Sequence, residues 1–406
     1  MAKRVVVIGA GAAGTMAAIV AAGAGADVLL LERTRDGGRK ILISGGGRCN
    51  ILPARLDETR FVTDSSPHTL RKILRSWPLA GQIAFFERDL GLPLVEEAGS
   101  GKLFPRSDRA RDVRDGLLAL AARQGARVVP NSLVTGLVAG RGSWRVILEG
   151  AAPVEADAVI VATGGLSVPT TGSDGRGLSI LSGLGHTIHP TYPALTPVTC
   201  DPPVFADLSG VSLTATVTAR DAVRRATATG GFLFTHRGYS GPAVLDVSHV
   251  LVRARMAGRA AQLTVQWTAA DAEAWDERLR GTGARTVLGA VRRALPERLG
   301  TRLVGEAGVA GDRPIAQVRR EERRALVAAL TNFALPWTGD EGYRKAEVTG
   351  GGVSLAEVDP RTLASRKAPG LFLCGELLDG FGPIGGYNFC WAWVTGRAAG
   401  LGAAAS

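Results

Sequence analysis

Apolar positions run without interruption at Val5–Ile8, return at Val28–Leu31, and do so again at Ala158–Val161 and Leu371–Cys374. Short apolar runs bounded by turn formers suit strands buried on both faces. Lys3–Ile8 therefore predicts a strand, Gly9–Gly14 a tight turn, Thr15–Ala24 a helix, and Asp27–Leu31 a second strand ending on Glu32, together one βαβ unit. Helical spacing follows over Thr69–Leu90 and Ala110–Gln124, then short strands near Arg127–Val129, Leu133–Val138 and Trp144–Leu148. The pattern changes near Pro190. Prolines and Val/Thr/Leu alternation, clearest at Ser212–Thr218, predict a β-rich stretch to about Thr268. Asp271 to about Leu335 reads as helical, with Arg285–Leu295 and Glu321–Leu330 the clearest elements. From Ala346 the glycine-rich, short-strand style returns and ends in a helix over Asn388–Leu401. The order predicts an α/β domain in two parts, residues 1–190 and 346–406, interrupted by a β-rich domain at 191–270 and a helical domain at 271–345.

A chain of 406 residues, 46% hydrophobic, can bury a sizeable core. Only six of its 48 basic residues are lysines, and the arginines are scattered among acids, as in Arg319–Arg324. That segment reads as a solvated helix face with i,i+4 charge pairs. Compositional drift accounts for the net charge of +11 more simply than a dedicated anion-binding tract, although RNA stays open as a partner. Cys49, Cys200, Cys374 and Cys390 lie far apart, so neither a disulfide framework nor a structural metal is expected. Met1–Ala26 imitates a leader peptide but contains a phosphate-binding fingerprint, and no other apolar run is long enough to span a bilayer. The chain is expected in the cytoplasm, with no membrane or DNA partner.

Gly9, Gly11 and Gly14 match Gly-x-Gly-x-x-Gly after a strand and at the start of a helix, the context this turn needs. Gly9 allows the turn, Gly11 lets a pyrophosphate approach, Gly14 lets helix and strand pack, and Ala13 lies between them. The helix N-terminus offers free amides to the phosphates. Glu32, eighteen residues after Gly14, is placed to accept hydrogen bonds from an adenosine ribose. A nicotinamide-only enzyme needs neither the triplet Gly45–Gly47 nor a second glycine-rich segment. Here Gly375-Glu376 follows a strand and Gly385–Asn388 opens the last helix, which suits the ribityl chain and the pyrimidine end of a flavin.

The most specific pieces are Gly38-Arg39-Lys40 with Ser44–Asn50, Gly101–Pro105, Thr163–Ser167, Phe234-Thr235-His236 with Ser240-Gly241-Pro242, and Gly375-Glu376 with Gly385–Asn388 and Trp391-Ala392-Trp393. In these the chain resembles, over nearly its whole length, the YhiN/BaiN-like (BaiN/RdsA) family of FAD-dependent oxidoreductases. The resemblance implies a two-dinucleotide-binding, Rossmann-like FAD domain with a β-rich and a helical insert, FAD lying extended between the N- and C-terminal segments. Beside the first loop and Glu32, the residues expected at FAD are Arg39, Lys40, Ser44, Gly46, Gly47, Arg48 and Asn50, then Val134, Ala162, Thr163 and Gly164. At the C-terminal end they are Gly375, Glu376, Gly386, Tyr387, Asn388 and Phe389. Gly45–Gly47 would let the backbone lie against the flavin, and Arg48 would meet the pyrophosphate or an anionic substrate. The chain departs from the family at Ile51-Leu52-Pro53, Cys390, Val168 and Thr170, positions that bear on the substrate.

Only one Gly-x-Gly-x-x-Gly has the right context, so a reductant such as NAD(P)H would bind transiently. The leading reading is a reduced flavin passing hydride to a polarised C=C bond of a small unsaturated molecule while a nearby acid protonates the adjacent carbon. Cys49, Tyr387 and His236 are the candidate acids, whereas His186 and His189 read as structural. The family's reactions also permit a uridine reductase of ribosomal RNA. A flavin-bound redox sensor without turnover is the rival from another class.

Overall fold

The computed structural model describes residues 2–280 and 285–406, and in it the apolar run at the N-terminus becomes the centre of a five-stranded parallel sheet. That strand, β1 (Arg4–Ile8), pairs on one side with β2 (Asp27–Leu31), which pairs with β3 (Arg127–Val129). On the other side it pairs with β4 (Ala158–Val161), which pairs with β5 (Leu371–Leu373). Val5, Val6 and Val7 are all fully buried although successive side chains face opposite ways, so both faces of the sheet are covered. A strand 371 residues into the chain thus completes the sheet begun at residue 4, and the first unit comprises Met1–Tyr192 and Glu347–Ser406.

Small residues set how closely the helices of this unit approach. Helix α1 (Ala12–Gly23) connects β1 to β2 and lies against the C-terminal helix, Tyr387–Ala405. A β-carbon at Gly400 would lie 2.5 Å from the Ala17 carbonyl oxygen, and one at Gly396 would strike the Ala13 carbonyl. The Gly396-x-x-x-Gly400 spacing therefore brings the two backbones together. The stretch Thr69–Leu90 is not one helix. It splits into Pro67–Leu74 and Leu79–Ala84, because Pro78 lacks an amide hydrogen and disfavours helical geometry at Trp77. Among the described residues no helix is long and apolar enough to cross a membrane.

The second unit, Pro193–Ala346, is built on a seven-stranded sheet. Ser212–Asp221 alternates as the sequence predicts, with Ala215, Val217 and Ala219 buried. On its other face Thr216 and Thr218 meet Thr229 and Thr227 across the strand pair at 2.8 and 2.9 Å. The β-rich reading missed Pro242–Met256, a 15-residue helix. Nine of its residues are buried and several are β-branched, which blurs a 3.6-residue period into the look of a strand. Phe232, Phe234 and Trp267 share one core with Trp275, Val291, Leu299 and Leu326 from the helices that follow. Stretches 191–270 and 271–345 therefore fold over a single core as one unit. The charge pairs of Arg319–Arg324 also differ from the expected i,i+4 set: Arg323 reaches Asp276 at 2.7 Å, and Glu322 takes Arg319 and Arg313 at 2.9 and 2.7 Å.

Candidate functional site

The three glycines of the first loop have separate roles. Gly9 has φ +103°, and a β-carbon there would lie 2.7 Å from the Ala162 carbonyl oxygen. One at Gly14 would run into the Gly9 carbonyl, so both positions serve close packing of β1, α1 and β4. Gly11 faces nothing within 4 Å, which leaves space at the amide-bearing start of α1. Buried Glu32 braces this loop. Its Oε2 accepts from the Ala10 amide (2.9 Å), while Oε1 accepts from the Thr34 amide and hydroxyl (2.8 and 2.6 Å). Oε2 keeps one acceptor position, which suits a ribose hydroxyl. Ala13 is buried under the loop and touched by Gly375, whose β-carbon would come within 2.8 Å of it. Val134 is buried at the head of the strand Val134–Ala139. After β4, Ala162 closes on Gly9, Thr163 keeps a buried hydroxyl with no hydrogen-bond partner, and Gly164 turns the chain at φ +72°.

The triplet Gly45, Gly46 and Gly47 has φ values of +55°, +69° and +87°. Three left-handed residues in a row are available to glycine at little cost and to other residues only under strain. The turn is exposed, and a β-carbon at Gly46 would meet nothing within 4 Å. The short helix α2 (Arg39–Ile43) precedes it, with the Ser44 hydroxyl donating to the Ile41 carbonyl (2.8 Å). Arg39 is paired with Asp36 through Nε and Nη2, both at 2.9 Å. Arg48 is engaged as well. It donates to Glu97 (3.0 Å) and lies 4.2 Å over the Phe104 ring, so it fastens the turn to the neighbouring hairpin and is not a free cation awaiting a phosphate.

Lys40 and Glu376 lie 336 residues apart in sequence and meet at 2.6 Å. Ser167 accepts from the same ammonium (2.6 Å) and donates to Glu376 Oε1 (2.5 Å). Thr349 adds its amide (3.0 Å) and hydroxyl (2.9 Å) to that oxygen. The carboxylate assigned in sequence to ribityl hydroxyls is therefore held by four protein donors. Thr349 was missed by sequence reasoning and Ser167 was marked only as the end of the Thr163–Ser167 piece, because nothing in their local pattern points to a partner so far along the chain.

The C-terminal helix α3 (Tyr387–Ala405) begins behind Gly385 (φ +119°) and Gly386 (φ +88°). A β-carbon at Gly386 would lie 2.7 Å from the Pro53 nitrogen. With its amide oriented to suit its surroundings, Asn50 accepts from the Gly386 N–H (3.0 Å) and donates to the Leu52 carbonyl (3.2 Å). Asn388 accepts from the Gly382 amide (2.9 Å) and donates to its carbonyl (3.0 Å), which holds the preceding loop, and Phe389 stacks on Trp393. Asp379, also missed, is 1% exposed and organises this end. Its Oδ2 accepts from the Asp64 and Ser65 amides (2.9 and 2.7 Å) and from the Thr63 and Ser65 hydroxyls (2.9 and 2.7 Å). Ser65 in turn meets His189 at 3.3 Å, while His186 is fixed between Glu357 and Ser365 at 3.0 Å each.

The candidate acids fall in different settings. Cys49 is fully buried, and burial pushes its thiol up to about 12, opposed only by a hydrogen bond with Ser44. Such a thiol is a poor proton donor near neutrality. Native Cys49 is expected to resist iodoacetamide at about pH 8, where an exposed thiol reacts readily, and to be modified after unfolding in urea. Peptide mass spectrometry reads this directly, and rapid modification of the folded protein would restore Cys49 as a reactive group. His236 belongs to the second unit, exposed on the turn between Arg225–Thr235 and Gly238–Ser240. Tyr387 opens α3 and is buried, with its hydroxyl 3.4 Å from both the Arg55 carbonyl, to which it donates, and the Asp57 amide, from which it accepts, both at the long end for hydrogen bonds.

The residues of the first unit suit an extended dinucleotide. Space lies open over Gly11 and Gly46, Glu32 keeps an acceptor, and two glycine-led helices present their amide ends. The family described as HI0933-like protein Rossmann domain matches residues 3–402. Over 394 residues the chain is 32% identical to the ribosomal RNA dihydrouridine synthase of Escherichia coli (strain K12), covering 96% of this chain and 95% of that protein. Over 412 residues it is 32% identical to the 3-dehydro-bile acid delta(4,6)-reductase of Clostridium scindens, covering 99% of each. Among solved structures, the open conformation of a flavocytochrome c3 fumarate reductase aligns with a TM-score of 0.51 at 17% identity, over 100% of this chain and 78% of that one, a likeness of fold.

Proposed function

Because the chain belongs to the HI0933-like Rossmann-domain family, we propose that it is an FAD-dependent oxidoreductase that reduces a carbon–carbon double bond conjugated to a carbonyl group. The observation that carries this reading is the chemistry common to the two relatives' names. Making dihydrouridine saturates a C=C bond next to a ring carbonyl, and a 3-dehydro-delta(4,6) bile acid has its double bonds conjugated to a 3-oxo group. In both the polarised bond takes hydride at the far carbon and a proton at the carbon beside the carbonyl. When bound, FAD reduced by NADH or NADPH supplies the hydride. The chain supplies binding through the Gly9–Gly14 loop, Glu32 and the start of α3, and the proton through Tyr387. Tyr387→Phe tests that last role: it should leave flavin reduction by NAD(P)H intact and slow reoxidation by the acceptor.

A second reading concerns the acceptor: a uridine of ribosomal RNA in place of a small cyclic enone. It is favoured by the activity named for the Escherichia coli relative, with which the +11 net charge is compatible. The deciding experiment purifies the protein with its flavin, reduces it with NADH or NADPH without oxygen, and follows reoxidation by a cyclic enone and by deproteinised ribosomal RNA. Reoxidation by either establishes the reductase and selects its acceptor. Bound FAD that neither nicotinamide reduces would favour a redox sensor, and a protein that retains no FAD would refute the whole reading.

A further inference from the structure

An open cleft of about 630 Å³ lies in the first unit, lined by none of the residues assigned above to the cofactor. His68, Arg71, Lys72 and Arg75 line it from the helix Pro67–Leu74 and its end, and Arg361 lines it from a separate loop. Arg75 is paired with Glu58 at 2.8 Å. Arg71 donates only to the Pro67 carbonyl of its own helix (3.2 Å), and among the described residues no carboxylate lies within 4.0 Å of Arg71, Lys72 or Arg361. Cations in the last turn of a helix offset its dipole, which accounts for three of these residues. It does not account for Arg361, which another segment brings to the same cleft. The Asp359 carboxylate accepts from the Arg361 and Thr362 amides (2.8 and 3.2 Å), so the loop that presents Arg361 is itself fixed.

We propose that this cleft binds the phosphate backbone of an RNA. The inference rests on the uridine reading of the acceptor and supplies the surface that reading needs. A compact anion is held by a few converging, buried donors, whereas a polyanionic backbone is held by exposed cations on long side chains along an open groove. The cleft is of the second kind. The cleft lies toward the far end of α3, where Thr362 packs on Gly402, and the helix Pro67–Leu74 connects it to the loop that opens α3. The helix Pro67–Leu74 follows directly on Thr63–Ser65, which Asp379 holds against the loop that opens α3, and Val62 exchanges backbone hydrogen bonds with Phe381 of that loop (2.8 and 3.1 Å). RNA seated on Arg71, Lys72 and Arg361 would therefore have to extend along this helix for a second segment to meet the cofactor cradle.

The test compares the flavin-loaded protein with Arg71→Gln/Lys72→Gln/Arg361→Gln for binding to fluorescently labelled, deproteinised ribosomal RNA over a series of salt concentrations. The variant should bind at least about tenfold more weakly near 100 mM salt, and its salt slope should fall by about 2, the share of three phosphate contacts on a single strand. FAD content, thermal midpoint and reoxidation by a cyclic enone should match the unsubstituted protein, which separates lost docking from lost folding. Equal RNA affinity of the two proteins, or no binding by the unsubstituted protein, would overturn the proposal. Should neither acceptor reoxidise the flavin while the variant still loses RNA affinity, the cleft stands and the reductase reading falls.

Discussion

Gly11→Val is expected to give a folded protein that purifies without flavin. Gly11 has φ −77° and ψ −171°, an extended conformation that valine adopts without strain, and no atom lies within 4 Å of where its β-carbon would go. Its neighbours should therefore keep their places and the thermal midpoint of the flavin-free protein should barely move. The new isopropyl group, however, fills the space in front of the α1 amides, where a pyrophosphate must sit to use them. A loss of at least about a hundredfold in FAD affinity is expected, or ~3 kcal/mol. Gly14→Val makes the informative contrast. Its β-carbon would meet the Gly9 carbonyl and lie 3.1 Å from the Ala162 methyl, so there the loop must shift and the fold itself should soften. The ratio of visible flavin absorbance to protein, read beside the thermal midpoint, separates the two outcomes. A Gly11→Val protein that keeps a full complement of FAD would place the dinucleotide elsewhere.

The residues behind that contrast were legible in the sequence because their logic is local. Glycine spacing, a strand before it, a helix after it and an acid at the end of the next strand all fall within 32 residues. Arg127–Val129, Trp144–Leu148 and Ala158–Val161 appear in the structure with the boundaries their apolar runs predict. Legibility ended where a side chain's partner is set by topology. Arg48 looked free until Glu97 and the Phe104 ring came to it from another hairpin, and Glu376 looked available until Lys40, Ser167 and Thr349 surrounded it. Asp379 had the same signal as Glu376, an acid in the glycine-rich loop before the last helix. What it organises, Thr63–Ser65, lies over three hundred residues away, and no periodicity encodes that meeting. The helix Pro242–Met256 was hidden for a different reason: burial around most of its circumference removes the polar stripe by which helices are recognised.

The crowding around Glu376 leads to the second large effect. Glu376→Ala should destabilise the first unit by about 2–4 kcal/mol, because it leaves an ammonium, an amide and two hydroxyls without their acceptor in a partly enclosed site. The side chains of Lys40 and Glu376 are 26% and 18% exposed, so water relieves part of the loss and the upper end of that range is a ceiling. In the double variant Lys40→Met/Glu376→Ala the stranded charge is gone, and the loss should be smaller than the sum of the two single changes. Urea unfolding of flavin-loaded and flavin-stripped protein then decides what the carboxylate is for. If it chiefly clamps β5 and the Thr349 strand to α2, as its four contacts imply, stripped and loaded proteins lose similar stability. If its main partner is instead a cofactor hydroxyl, the loss appears only in the loaded form and is matched by weaker FAD binding. An equal loss in both forms assigns Glu376 to holding Lys40, Ser167 and Thr349 together as part of the fold.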